Sequence, residues 1–198
     1  FVGASGNDTF NFTGSTAASI NGGLGGDVVN FNSAASGVDF NLAQLTYQSI
    51  QSSQTYTVFG GTSNDTFHWT GQSAVTLNGG ADGNDVLTAD YATAAVTLDA
   101  NSAQFVGIES FVGSNFSDTL KWNGIGAPAL DGGNGTDTLS FAAATAGVTV
   151  NVNDAKITSI ESFLGSSLAD KFNWAGAGSF TLNGGAGADS MIGGTGDD

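Results

Sequence analysis

The feature that most constrains this chain is a 52-residue repeat. Phe111-Val-Gly-Ser returns as Phe163-Leu-Gly-Ser, and Phe59-Gly-Gly-Thr stands at the same interval before it. Phe1-Val-Gly-Ala opens a longer first copy, and the Gln- and Ser-rich stretch Gln48 to Gln54 is the natural place for the excess. The copies are 1–58, 59–110, 111–162 and a shorter 163–198, with no break in composition between them, so they read as one continuous repetitive domain.

Each copy carries two turns. The first is a Gly-x-x-x-x-Asp turn that leads into an alternating run: Asp8-Thr-Phe-Asn-Phe, Asp65-Thr-Phe-His-Trp, Asp118-Thr-Leu-Lys-Trp and Asp170-Lys-Phe-Asn-Trp. Large apolar residues at the second and fourth places after Asp predict a strand with one buried face. The second turn is glycine-rich and ends in Asp27, Asp85, Asp137 or Asp189. Its glycines are Gly22, Gly23 and Gly25; Gly79 and Gly80; Gly132, Gly133 and Gly135; and Gly184, Gly185 and Gly187.

The spacing between the two aspartates of a copy is nearly constant. It is the same from Asp8 to Asp27, from Asp118 to Asp137 and from Asp170 to Asp189, and one position longer from Asp65 to Asp85. In the third copy, strand starts are expected near residues 118, 128, 137, 147, 156 and 162. No stretch sustains a helical period, and glycine every few residues opposes helices. The expected fold is therefore all-β, a parallel β-roll or β-solenoid with about three two-stranded rungs per repeat. About eleven rungs at roughly 4.8 Å would make a rod on the order of 50 Å long.

Charge narrows the function. There are 16 Asp and 2 Glu against 3 Lys and no Arg, a formal net charge of −15. Such an excess opposes compaction unless it is neutralised, yet 40% of residues are hydrophobic, so the composition predicts a chain that folds with cations bound. Lys121, Lys156 and Lys171 cannot build a nucleic-acid surface. No apolar run reaches the length of a membrane span. The absence of Cys is compatible with an extracellular protein stabilised by something other than disulfides. A start at Phe1 and a stop at Gly-Asp-Asp are expected of a segment of a longer chain.

The run Gly184-Gly-Ala-Gly-Ala-Asp-Ser-Met-Ile192, followed directly by Gly193-Gly194-Thr195-Gly196-Asp197-Asp198, resembles two consecutive nonapeptides of the haemolysin-type calcium-binding (repeats-in-toxin) family. The segment Ile160-Glu-Ser-Phe-Leu-Gly-Ser166 resembles linking segments of large exported bacterial proteins of that kind. The resemblance implies a right-handed parallel β-roll that folds when calcium is available outside the cell, the ion lying between stacked turns on Asp carboxylates and glycine carbonyls. It also implies an extracellular or cell-surface location. Here the nonapeptides stand singly until residue 184, so a patchy calcium ladder is expected.

Calcium takes six to eight hard oxygens, and glycine turns can aim carbonyls inward. One ion is expected between the members of each pair: Asp8 with Asp27, Asp65 with Asp85, Asp118 with Asp137, and Asp170 with Asp189. Asp197, beside Gly193, Gly194 and Gly196, belongs to the opposite edge.

Other residues argue against catalysis. His68 stands alone on the polar side of its strand. Glu109 and Glu161 recur at the repeat interval without forming a glycosidase pair, and no Ser or Thr has a base partner. Trp69, Trp122 and Trp174 are expected in core or rim packing, roughly 14 Å apart along the stack. Asn7, Asn11, Asn64 and Asn115 match the glycan acceptor pattern, as chance predicts in so Asn- and Thr-rich a chain.

The expected function is a calcium-stabilised structural segment of a surface layer, extracellular filament or adhesin stalk, not an enzyme. Its partners would be calcium, further repeats of the same chain, and other copies in filaments or layers. The alternatives are a calcium-binding export and folding module of a secreted enzyme or toxin, and an ice- or carbohydrate-binding face. The outward Thr9, Thr66 and Thr119, expected three rungs apart, argue against the last.

Overall fold

The computed structural model of the protein describes residues 1–16, 19–46, 55–71, 74–175 and 179–193. The long insertion of the first copy therefore lies outside the described residues, as do Gly194, Gly196 and Asp197. Strand Thr9–Asn11 pairs in parallel with Gly26–Asn30, and the strand pairs that follow it along the chain are parallel as well. The described residues contain no α-helix, only one 3₁₀ turn at Leu42–Gln44, capped by the Asn41 side chain. The fold class is the expected all-β parallel solenoid.

Two compact units divide the chain. In the unit formed by 1–91 and 102–110, one sheet stacks Thr9–Asn11, Gly26–Asn30, Thr55–Phe59, Val75–Asn78 and Phe105–Val106. A second stacks Asp39–Asn41, Thr66–His68 and Val86–Thr88, and a third pairs Ile20–Asn21 with Leu45–Thr46.

The unit formed by 92–101 and 111–198 repeats the plan. One sheet stacks Thr97–Asp99, Thr119–Lys121, Thr138–Ser140, Ser162–Leu164 and Thr181–Asn183. Thr149–Asn151, Lys171–Asn173 and Ser190–Ile192 form another. Ala129–Asp131 pairs with Ile157–Thr158.

The strand starts at Thr119, Ala129, Thr138, Thr149, Ile157 and Ser162 fall close to the six expected in the third copy. Their grouping differs from expectation. Thr119 pairs with Thr138, and Thr138 pairs with Ser162, so a shorter turn is followed by a longer one. The chain makes about eight turns, not eleven.

The short turn visits two sheets and the long one three. After two turns the chain steps onto the next sheet, where Lys171–Asn173 begins the fourth copy. One repeat is two turns plus one side, so equivalent residues of successive copies face different directions. Trp122 follows a strand of one sheet and Trp174 a strand of another, which corrects the expectation that they rise in one column.

The alternation drives burial as expected. Phe67, Leu120 and Phe172 are fully buried. Trp69 packs edge-on to Phe105, with ring centroids 5.9 Å apart, and Trp122 lies against Phe141 at 5.7 Å. Both are packing positions. Such buried side chains each contribute about 1.5–3 kcal/mol by leaving water.

Candidate functional site

The eight described aspartates of the paired turns are joined two by two along the stack through their own backbone. The N–H of Asp8 donates to Asp27 Oδ1 at 3.0 Å, that of Asp65 to Asp85 at 2.8 Å, that of Asp118 to Asp137 at 2.7 Å, and that of Asp170 to Asp189 at 2.9 Å. The one-turn pairing read from spacing is thus the pairing in the fold.

A third member extends two of these pairs, and the spacing of the aspartates does not announce it. Glu109 Oε2 accepts the Asp85 N–H at 2.9 Å, and Glu161 Oε2 accepts the Asp137 N–H at 2.8 Å. A signal does exist in the sequence, because both glutamates follow their aspartate at the same interval.

A glycine faces every carboxylate. A Cβ built on Gly3, Gly60, Gly113 or Gly165 would lie 2.3–2.7 Å from Oδ2 of Asp8, Asp65, Asp118 or Asp170. On Gly22, Gly79, Gly132 and Gly184 it would fall 1.8–2.7 Å from Oδ2 of Asp27, Asp85, Asp137 and Asp189. None of these eight has a positive φ; they are needed for close approach. The left-handed positions are others, Gly23, Gly80, Gly133 and Gly185, together with Gly25, Gly135 and Gly187. The turn glycines read as one class are therefore two. Gly193 is exposed, just past the strand Ser190–Ile192.

The aspartates also divide in two. In the first turns of the second, third and fourth copies both carboxylate oxygens are engaged. Asp65 accepts from Val38 N–H at 2.6 Å and Gly61 N–H at 2.6 Å. Asp118 accepts from the Val96 and Ser114 N–H groups and the Ser114 hydroxyl. Asp170 repeats this with Val148 and Ser166. In the second turns one oxygen takes the N–H of the aspartate one turn before. The Oδ2 atoms of Asp27 and Asp137 are buried with no hydrogen-bond partner.

This geometry tests the expected calcium ligands. The carboxylates of Asp65, Asp118 and Asp170 do not fit, because their oxygens already hold backbone N–H groups, which point positive charge where a cation would sit. The second-turn carboxylates fit in part, and Asp27 and Asp137 each keep an oxygen to spare. Among the described residues, no group of three or more His, Cys, Asp or Glu side chains converges on one point, so backbone carbonyls would have to supply most of a coordination shell.

Burial sets the electrostatics. Asp85 is 2% exposed, and its carboxyl is pushed up to about 6, first by desolvation and further by the Asp65 and Glu109 charges, against the lowering effect of the Asp65 N–H. Asp137 is raised in the same way, with Asp118, Glu161 and Asp131 adding to the desolvation. A carboxyl raised in the folded state favours folding while protonated. Its contribution is full below the ordinary Asp range and is lost as pH rises through about 6. Calcium-free protein is therefore expected to be more stable at pH 5 than at pH 7.5, by about 1 kcal/mol from Asp85 alone, or about 2–4 °C in melting temperature. Asp85→Asn should flatten that slope. A melting temperature that rises with pH over this range would contradict the assignment.

His68 is not an open surface residue. Its Nδ1 lies 2.7 Å from Asp90 Oδ1 and its Nε2 2.9 Å from Asp39 Oδ1, and the ring stacks on Tyr91 with centroids 4.6 Å apart. The two carboxylates bracket the ring and tie three successive turns of one sheet together.

The glycan-pattern asparagines also serve the stack. Asn7 accepts from Gly26 N–H, Asn11 from the Asn30 amide, Asn64 from Asn84 N–H, and Asn115 from the Asn134 amide.

The outward threonines are placed differently from expectation. Thr97, Thr119, Thr138, Ser162 and Thr181 stand in register on adjacent strands, a hydroxyl on every turn of that sheet. The next outward column reads Asp99, Lys121, Ser140, Leu164 and Asn183, and its mixed charge and size break the lattice that an ordered surface would need. Two small clefts, about 160 and 80 Å³, flank Trp122. Only the smaller is lined by ionisable side chains, Asp154 and Lys156, and Lys156 is tied to the Ala127 carbonyl. No protein-family model matches the chain, and no curated protein matches it.

Proposed function

We propose that this chain is a structural repeat segment of a secreted or cell-surface protein, a piece of a surface layer, extracellular filament or adhesin stalk. The observation that carries this reading is the glycine–aspartate column. The motif recurring throughout the chain serves to join one turn to the next, and equivalent residues are sent to different faces. That arrangement suits a load-bearing spacer better than a one-sided binding surface.

Calcium belongs to the proposal at the second-turn aspartates Asp27, Asp85, Asp137 and Asp189. Glu109 and Glu161 supply further negative charge beside Asp85 and Asp137. A divalent cation there would offset carboxylate repulsion and bind the folded form alone, which raises stability by mass action.

The test is far-ultraviolet circular dichroism of chelator-treated protein titrated with calcium, with magnesium as control. The expected result is a calcium-selective gain in melting temperature. A β signal and a melting curve indifferent to calcium would remove the ion from the proposal and leave a self-sufficient solenoid.

A further inference from the structure

We propose that the residue immediately before the column glycine selects the state of each aspartate: an apolar residue makes it a hydrogen-bond clamp, and Asn or Asp leaves it an oxygen free for a cation. The second half of this statement rests on the calcium reading above; the first does not.

The difference between the two turns lies in one N–H group. In the first turns the residue after the column glycine donates its N–H to Oδ2 of the aspartate four residues on. Ala4 does so to Asp8 at 2.8 Å, Gly61 to Asp65 at 2.6 Å, Ser166 to Asp170 at 2.6 Å, and Ser114 to Asp118. In the second turns the corresponding N–H groups of Gly23, Gly80, Gly133 and Gly185 go elsewhere. They donate to the side chains of Asn21, Asn78, Asp131 and Asn183 at 3.0–3.1 Å.

An Asx side chain accepts readily from the N–H two residues ahead. Placed before the column glycine, it takes the donor that the aspartate would otherwise use. In the first turns the same place holds Val2, Phe59, Val112 or Leu164, which have no acceptor. In all four copies the N–H group goes to the aspartate in the first turn and to the Asx side chain in the second. The consequence is visible at Asp27 and Asp137, whose second oxygens are buried and unpartnered.

A buried acceptor without a donor is destabilising, and the repeat places one at the same step of the first and third copies. The selector thus sorts the negative charge. Clamp aspartates set the spacing of turns with no metal, and the others hold carboxylate oxygens in reserve.

The prediction is tested by exchanging selectors in the full chain. Asn78→Val and Asp131→Leu free the N–H of Gly80 and Gly133 for Asp85 and Asp137. In chelator each is expected to raise the melting temperature by about 2–4 °C, and Val112→Asn to lower it by a similar amount beyond that of Val112→Ala, the control that loses the apolar side chain without gaining an acceptor. In calcium, equilibrium dialysis should show one ion fewer per chain in Asn78→Val and in Asp131→Leu.

Shifts in chelator that are absent, or of the same sign in both directions, overturn the selector whatever calcium does. Full calcium stoichiometry in both freed variants, with wild type binding the ion, overturns it as well. If wild type binds no calcium but the chelator shifts have opposite signs, the calcium reading fails and the clamp rule stands.

Discussion

Gly132→Ala is expected to destabilise the protein by about 4 kcal/mol. An alanine Cβ at this position would lie 2.0 Å from the Ser159 carbonyl oxygen and 2.6 Å from Asp137 Cβ. The nearest obstacle is backbone of the adjacent turn, so no rotamer change can relieve it. Either the turns separate or Asp137 is displaced, and displacing Asp137 removes the acceptor of the Asp118 N–H. At roughly 2–4 °C per kcal/mol in a chain of this size, the melting temperature should fall by about 8–16 °C. Gly14→Ala is the control, because nothing lies within 4 Å of its Cβ position, and a change within about 0.5 kcal/mol is expected there. Equal melting of the two variants would show that close approach is not what the column glycines provide.

Asp118→Ala is expected to cost about 3–5 kcal/mol in urea unfolding. It removes the acceptor for Val96 N–H at 2.7 Å, for Ser114 N–H and for the Ser114 hydroxyl at 3.0 Å. Asp118 is 2% exposed, so water cannot easily replace the lost partner, and each orphaned donor carries about 1–3 kcal/mol. Val96 and Ser114 come from different turns, and amide hydrogen exchange at both should accelerate together. Asp154→Ala removes one acceptor of the exposed Lys156 N–H and should cost about 1 kcal/mol or less. A small effect of Asp118→Ala, or exchange confined to Ser114, would mean that the clamp does not join turns.

Much of this architecture is legible from spacing. The recurrence of the Phe111-Val-Gly-Ser element, the near-constant interval between paired aspartates, and the alternation Thr66-Phe-His-Trp specify parallel stacked strands and the identity of the stacking partners. They can do so because period-two burial and the recurrence of a motif at a fixed interval can both be read from the order of residues. The N–H partners of Asp118 are not legible in the same way. Val96 lies one full turn earlier in the chain; its segment recurs as Val148-Thr-Val-Asn, but nothing in the order of residues says that this N–H turns toward an aspartate.

The number of turns escapes the sequence for a related reason. A strand shows itself locally, but whether the chain turns back after two strands or three depends on how it closes around the core. The path from Thr119 to Thr138 is shorter than that from Thr138 to Ser162, and nothing local announces which sheet comes next. That closure places Trp122 and Trp174 on different faces, and it sets Thr119 beside Thr97 and Thr138.

The repeat, the strands and the carboxylate pairs follow from the order of residues alone, because turn glycines and alternating apolar residues act within a short stretch of chain. Which donors from other turns reach each carboxylate, and how deeply it is buried, is settled only when the turns are stacked. Asp118 and Asp137 have the same chemistry. They differ because stacking brings the Val96 N–H of the neighbouring turn to the first, which also takes the Ser114 N–H beside it in the chain, whereas Asp131 withholds the matching local donor from the second and leaves its buried oxygen unpartnered.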